Sequence, residues 1–406
     1  AGGEGGAGGG PDRDAGPGAG GGEAPDAAVE VAAFRAVELP GEDERVAGVF
    51  CTTPTSCVVA TAPHGGGGHV YSTDGQTITG TLLTGDGAFA EPLGTLGEVG
   101  FLGFAHVGDR LIALVNGAGA AFVSATGDYT QAASWTSVRI GTRNGGNGFG
   151  LNAQYGIGSN GTAWTLVHNG YIHETMDMPA PGAGWTEIWS PQQVPPVPAD
   201  IDALRTADPT LCNTDPGASI SPTPIQTVHI AADASLIVSP AGAVNQHGDD
   251  TPGVCISTDG GHAFHHAEFA GLDDQQGPLG INCTSRDHCV AVGGRSFSAG
   301  STYVFVTHDA SSGAASTWTR ATTPAFTDSM LLRFAFFAPD GMHGWIVGDN
   351  SGGPLLLATT DGGATWTDAT VMVRALTDAR LHSGYAFDAT HIWIGGEHDT
   401  LLTTGN

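Results

Sequence analysis

Leu355-Leu356-Leu357-Ala358-Thr359-Thr360-Asp361-Gly362-Gly363-Ala364-Thr365-Trp366-Thr367-Asp368 is the stretch whose reading decides the fold. Three leucines feed a tight turn, and a second short strand starts at Thr365-Trp366-Thr367. Glycine supplies the positive φ such a turn needs, and an Asp carboxylate accepts hydrogen bonds from the turn's own N–H groups. Trp366 then has a large apolar face to bury at the root of the hairpin. The pattern recurs at Ser257-Thr258-Asp259-Gly260-Gly261 and, with Ile78 in the aromatic slot, at Ser72-Thr73-Asp74-Gly75-Gln76-Thr77. Asp74, Asp259 and Asp361 therefore read as turn-forming residues.

Working outward, four short apolar runs surround each turn. The clearest unit is Leu332-RFAFFA, His343-GWIVGD, Leu355-LLATTDGG and Thr365-WTDATV. Another runs from Gly280 to Thr317-WTRA, and in it His308-Asp309 begins the same turn with residues inserted. Further units start near Gln226, Gly150, Val99 and Val46. A period of roughly 40 residues with four short strands predicts a β-propeller. A β-sandwich also spaces strands this closely, but has no reason to repeat Thr-Trp-Thr. The last unit, Ser383 to Asn406, is one strand short, and Val31-AAFRAVEL near the N-terminus can supply it. The fold class expected is all-β: a seven-bladed propeller of four-stranded blades, its last blade closed by an N-terminal strand. Residues 28–406 then form one domain with an insertion over 190–223, and the Gly- and Pro-rich residues 1–27 form a flexible tether.

Composition agrees: 65 Gly and 23 Pro leave little room for long helices. A net charge of -28, with Arg as the sole basic residue type beside His, argues against nucleic acid or an anionic membrane as partner. No apolar run approaches a membrane span. Cys51/Cys57 and Cys283/Cys289 each bracket a short polar loop, and the second Cys opens an apolar strand. That arrangement suits a disulfide across a hairpin and an oxidising compartment; a zinc site would want closer Cys pairs or clustered His. Cys212 and Cys255 remain as a third pair. The expected location is extracellular, periplasmic or tethered to a bacterial cell surface, after removal of a signal segment.

These repeats resemble the Asp-box (BNR, sialidase-type) propellers, which include sialidases, xyloglucan-cleaving hydrolases and seven-bladed photosystem assembly factors. The resemblance covers about 31–406. It implies that the Asp-box turns are structural, joining a blade's third and fourth strands, and that ligands bind on the opposite face. Loops there carry Arg143, Asn147, His247, Asp250, Asp273, Arg295, Asp349, Arg374 and Glu397, types that hydrogen-bond polar ligands. The sequence is read as a glycan- or protein-binding propeller, monomeric and without a cofactor. A glycoside hydrolase on the same scaffold is the alternative, with two carboxylates facing across a cleft. Calcium is considered at Asp249-Asp250 and Asp273-Asp274, since it prefers oxygen ligands. His64 and His69, flanking a Gly run, are weaker transition-metal candidates.

Overall fold

The computed structural model describes residues 33–41, 43–63, 68–84, 100–107, 110–115, 120–124, 129–139, 156–159, 164–168, 171–175, 186–189, 229–231, 233–241, 253–272, 278–293, 302–326 and 330–405. The tether and insertion expected over 1–27 and 190–223 lie outside them. In chain order, β1 (Arg35–Ala36) precedes sheet I: β2 (Glu44–Thr53), β3 (Ser56–Pro63), β4 (His69–Thr73) and β5 (Ile78–Thr84). Sheet II holds β6 (Phe101–Val107), β7 (Arg110–Val115), β8 (Ala120–Ser124) and β9 (Trp135–Arg139). Sheet III holds β10 (Gly156–Ser159), β11 (Trp164–His168), β12 (Tyr171–Thr175) and β13 (Thr186–Trp189). Sheet IV holds β14 (His229–Ile230), β15 (Ile237–Ala241), β16 (Gly253–Ser257) and β17 (His265–Glu268). Sheet V holds β18 (Pro278–Cys283), β19 (Cys289–Gly293), β20 (Tyr303–Thr307) and β21 (Thr319–Arg320). Sheet VI holds β22 (Met330–Phe337), β23 (Gly344–Asn350), β24 (Gly353–Thr359) and β25 (Thr367–Asp368), followed by the short helix α1 (Val371–Arg374). Sheet VII holds β26 (Leu381–Ala386), β27 (Ile392–Gly396) and β28 (Leu401–Thr403).

Every sheet is antiparallel and four-stranded, and β1 completes sheet VII beside β28. Arg35 pairs with Thr403 and Ala36 with Leu402, and Val37 N–H donates to Leu401 O at 2.8 Å. The closing strand is thus shorter than the segment read from sequence, because only these residues run alongside β28. First strands of successive sheets touch in a closed circuit: β2, β6, β10, β14, β18, β22, β26 and back to β2. This is the seven-sheet ring expected of a propeller.

The core lies between neighbouring sheets. Phe336, Trp345 and Leu356 of sheet VI pack with Leu381, Ile392 and Leu402 of sheet VII. Val46, Val59 and Tyr71 of sheet I pack with Trp393 and Leu401 of sheet VII. A middle strand is covered on both faces, so β19 is an unbroken buried run, Val290-Ala291-Val292, rather than an alternating one. Each such Val or Leu contributes on the order of 1.5–3 kcal/mol on burial. No helix among the described residues is long and apolar enough to cross a membrane.

The repeated turn behaves as its chemistry dictates. Thr365 N–H and Thr359 Oγ1–H donate to Asp361 Oδ1 at 2.9 and 2.8 Å, while Gly363 N–H donates to Thr359 Oγ1 at 3.1 Å. Gly362 and Gly363 take φ of 73° and 92°, and Trp366 Nε1–H closes onto Gly363 O at 2.8 Å. Asp259 accepts from Ala263 and His262 N–H at 3.1 Å, and Asp74 from Thr77 N–H at 2.8 Å. In the interrupted copy Asp309 accepts from Thr317 N–H at 2.8 Å, so the insertion loops out without breaking the device. All four turns join third to fourth strands, as the resemblance implies.

Two expected disulfides are present, Cys51–Cys57 and Cys283–Cys289, each joining residues directly opposite in a hairpin. Cys255 is also disulfide-bonded; Cys212 lies outside the described residues.

Candidate functional site

Alternating strand direction puts the start of each first strand, the end of each second and the end of each fourth on one face. The Asp-box turns occupy the other. Around the axis, five first strands carry a bulge at one equivalent step, where the register passes over Ala47, Leu102, Leu279, Arg333 and His382. A bulge bends the strand and re-aims one side chain. On the adjacent sheets VI and VII that side chain is ionisable.

Arg333 Nε donates to Asp349 Oδ2 at 2.8 Å, across the β22–β23 hairpin. His382 Nε2–H donates to Glu397 Oε1 at 3.0 Å across β26–β27, and Arg380 Nη1 stands 3.9 Å from the same oxygen. Arg45, the second residue of β2, is near enough to feel both Glu397 and Arg333. Burial lowers its pKa, Arg333 lowers it further and Glu397 opposes both. Burial, with the charges of Arg333 and Arg45, also depresses His382 against the hydrogen bond to Glu397. Burial alone would raise Glu397, but His382, Arg380 and Arg333 hold it below the usual range. Burial thus favours the neutral form of His382, while the partners of Glu397 favour its ionised form.

Beside it, buried Glu44 accepts from Tyr71 OH at 3.2 Å and from His69 Nδ1. Burial and the Glu44 charge raise Tyr71, which stays a neutral donor. Asp399 accepts from Glu44 and Asp43 N–H at 2.7 and 2.8 Å, so the β27–β28 turn clasps the start of β2. His398 and Asp399 adopt positive φ, 53° and 58°, to make that grip. Between the first strands lies a cavity of about 660 Å³, lined by Phe104, His229, Phe334, His382 and Tyr385 among others.

Of the residues read from sequence, Asp349 and Glu397 join this cluster. Arg374 ends α1 on the same face, with an exposed side chain. Arg143, Asn147, His247, Asp250, Asp273 and Arg295 lie outside the described residues, as do the Asp pairs considered for calcium. No group of three or more His, Cys, Asp or Glu among the described residues has a metal-holding arrangement. His69 is instead held by Glu44. Sequence reading missed Arg45, Arg333, Arg380 and His382, because it searched loops. The signal was present: aligning the first strands on their small or apolar residues sets Arg333 and His382 against Ala47, Leu102 and Leu279.

The family model for photosynthesis system II assembly factor YCF48 matches residues 310–406. No curated protein matches the chain. Among solved structures, the chain is similar to YCF48 from Cyanidioschyzon merolae, at 15% identity over 92% of this chain and 98% of that one, TM-score 0.59. A YCF48 structure bound to a D1 peptide is similar at 12% identity over 93% and 100%, TM-score 0.57. The GH74 xyloglucanase from Xanthomonas campestris is similar at 17% identity over 90% of this chain and 52% of that one, TM-score 0.55. Identities this low speak to the fold alone. With the closed circuit of sheets they show the chain to be a β-propeller, and its four turns resemble those of the Asp-box, or BNR, propellers.

Proposed function

We propose that the protein binds a segment of a protein partner on the face opposite the Asp-box turns, at the axial cluster of Arg45, Arg333, Arg380, His382 and Glu397. The observation that carries this reading is the pair of bulges at Arg333 and His382, whose side chains meet the carboxylates of Asp349 and Glu397. A fold needs no charge there, and other first strands place Ala47 or Leu279 at the same step. Arg333 uses Nε on Asp349 and keeps its terminal N–H groups for a ligand oxygen, the geometry with which guanidinium reads carboxylate. The chain's charge of -28 slows approach by a strongly acidic partner. A neutral or basic segment bearing one carboxylate fits best. The YCF48 structure bound to a D1 peptide supports a peptide as the kind of ligand this scaffold accepts. The two described disulfides support a location outside the reducing cytoplasm, secreted or at a cell surface.

The test is a peptide array probed with the wild-type chain, Arg333→Gln and Arg380→Gln, with melting curves recorded alongside. Peptides carrying a single Asp or Glu should be retained by wild type, and at least about ten-fold more weakly by the folded Arg variants. Undiminished binding by both variants, or retention of glycans alone on a parallel array, overturns the reading.

A further inference from the structure

The cavity between the first strands shares His382 with the charged cluster but is otherwise walled by other residues. Its volume of about 660 Å³ is of the size that encloses small organic molecules. Rings from three sheets line it: Phe104 of β6, Phe334 of β22 and Tyr385 of β26. Two imidazoles line it as well, His229 on sheet IV and His382 on sheet VII, three sheets apart in a ring of seven. They also differ in depth. His382 is the second residue of β26, near the face that carries the cluster. His229 meets Cys283, the last residue of β18, near the face of the Asp-box turns. Each imidazole has one nitrogen already engaged, and that engagement fixes the role of the other. The ionised form of Glu397, which its partners favour, can only accept, so His382 Nε2 carries the proton and Nδ1 is left as an acceptor. The Cys283 N–H can only donate, so His229 Nδ1 is the bare nitrogen and Nε2 is left as a donor. Among the described residues nothing bonds either leftover nitrogen. Burial favours the neutral form of both rings, so the two roles do not interchange at neutral pH.

We propose that this cavity binds an uncharged aromatic molecule with a hydrogen-bond donor at one end, given to His382 Nδ1, and an acceptor at the other, which receives the His229 Nε2–H. The ligand is aromatic because the wall presents rings from several directions, and rings pack on one another in offset and edge contacts. It is uncharged because the burial that opposes protonation of two imidazoles opposes an ionic occupant in the same way. It has two poles because a buried donor and a buried acceptor left unmet both cost binding energy. This goes beyond the peptide reading, since none of the guanidiniums takes part in holding the molecule.

Calorimetric titration of the full chain at neutral pH with 4-acetyl-4′-hydroxybiphenyl, which has a donor at one end and an acceptor at the other, tests the site. Saturable binding is expected, at least about ten-fold tighter than that of 4-acetylbiphenyl, which lacks the donor, or 4-hydroxybiphenyl, which lacks the acceptor. His229→Phe should erase the advantage of the acetyl group and keep that of the hydroxyl. Ala47→Phe fills the cavity from β2 without removing a hydrogen-bonding side chain, at the step where sheets VI and VII already carry Arg333 and His382. It should abolish binding and leave the protein folded, as a melting curve reads. The titration uses no peptide, so its failure and the failure of the peptide reading are separate events. Absence of saturable binding, equal affinity for the three biphenyls, an acetyl advantage that survives His229→Phe, or undiminished binding by Ala47→Phe overturns the proposal.

Discussion

The two faces of this ring both hold carboxylates, but they hold them differently. On one, Asp361 is surrounded by its own turn: a backbone N–H, two hydroxyls, and glycines that let the chain pass close. On the other, Asp349 and Glu397 meet side chains from the first strands, Arg333, His382 and Arg380. The first arrangement is satisfied within a few residues of sequence and repeats in four sheets. The second spans neighbouring strands and sheets and, among the described residues, involves VI, VII and the start of I. A carboxylate whose partners are local backbone is a device for making a turn. One whose partners are cationic side chains around an axis can exchange a partner for a ligand.

Substitutions separate the two faces. Asp349→Ala leaves a largely buried guanidinium without its counter-charge and should cost about 3 kcal/mol in chemical denaturation, while also weakening peptide binding. Asp361→Ala removes turn hydrogen bonds and should cost about 1–2 kcal/mol, with binding unchanged below the melting transition. A variant of Asp361 that stays folded yet loses the peptide would reverse the assignment of faces. Acid should unsettle the channel before the turns. His382 and His229 are depressed by burial, His229 to about 4, and His229 Nδ1 accepts the Cys283 N–H at 3.2 Å. Both are neutral in either state above the unfolded pKa of about 6.5, so they contribute nothing there. As pH falls below that value the unfolded chain takes up protons that the folded chain resists. Stability should then drop by about 1.4 kcal/mol per pH unit for each histidine until its folded pKa is reached. The Asp-box carboxylates are held below their ordinary range despite some burial, so their share is lost only at still lower pH. Equilibrium unfolding at a series of pH values reads both phases, and a curve flat from neutral pH down to about 4 would count against the buried neutral imidazoles. Arg380→Gln should change stability least, within about 0.5 kcal/mol, because its side chain is nearly half exposed and its ion pair long. Its effect should appear in binding.

What was legible in the sequence follows the same division. Asp361 and Trp366 announce a turn through residues a few positions apart, so the repeat, the strand order and the closing strand near Arg35 could all be read. The site could not, because Arg45 and Glu397 meet through the ring and stand at opposite ends of the chain. A bulge also leaves little trace in composition: Arg333 looks like one polar residue in an apolar strand. Asp349 and Glu397 were found only because their strand ends point to a face, and not because anything marked their partners. The disulfides of Cys51 and Cys283 were legible, since each joins residues on the two sides of one short loop.

The closing pair of strands also sets how the molecule responds to force. Arg35, at the beginning of β1, lies opposite Thr403, at the end of β28, so both ends of the folded chain leave the sheet from the same edge. A pull between the two ends loads these bonds one after another, as a zip is opened, and never all together in shear. Sheet VII is then the first to part. The Asp399 clasp on Glu44, out of the line of that pull, is left to keep the inner circuit shut after the outer strand has peeled away.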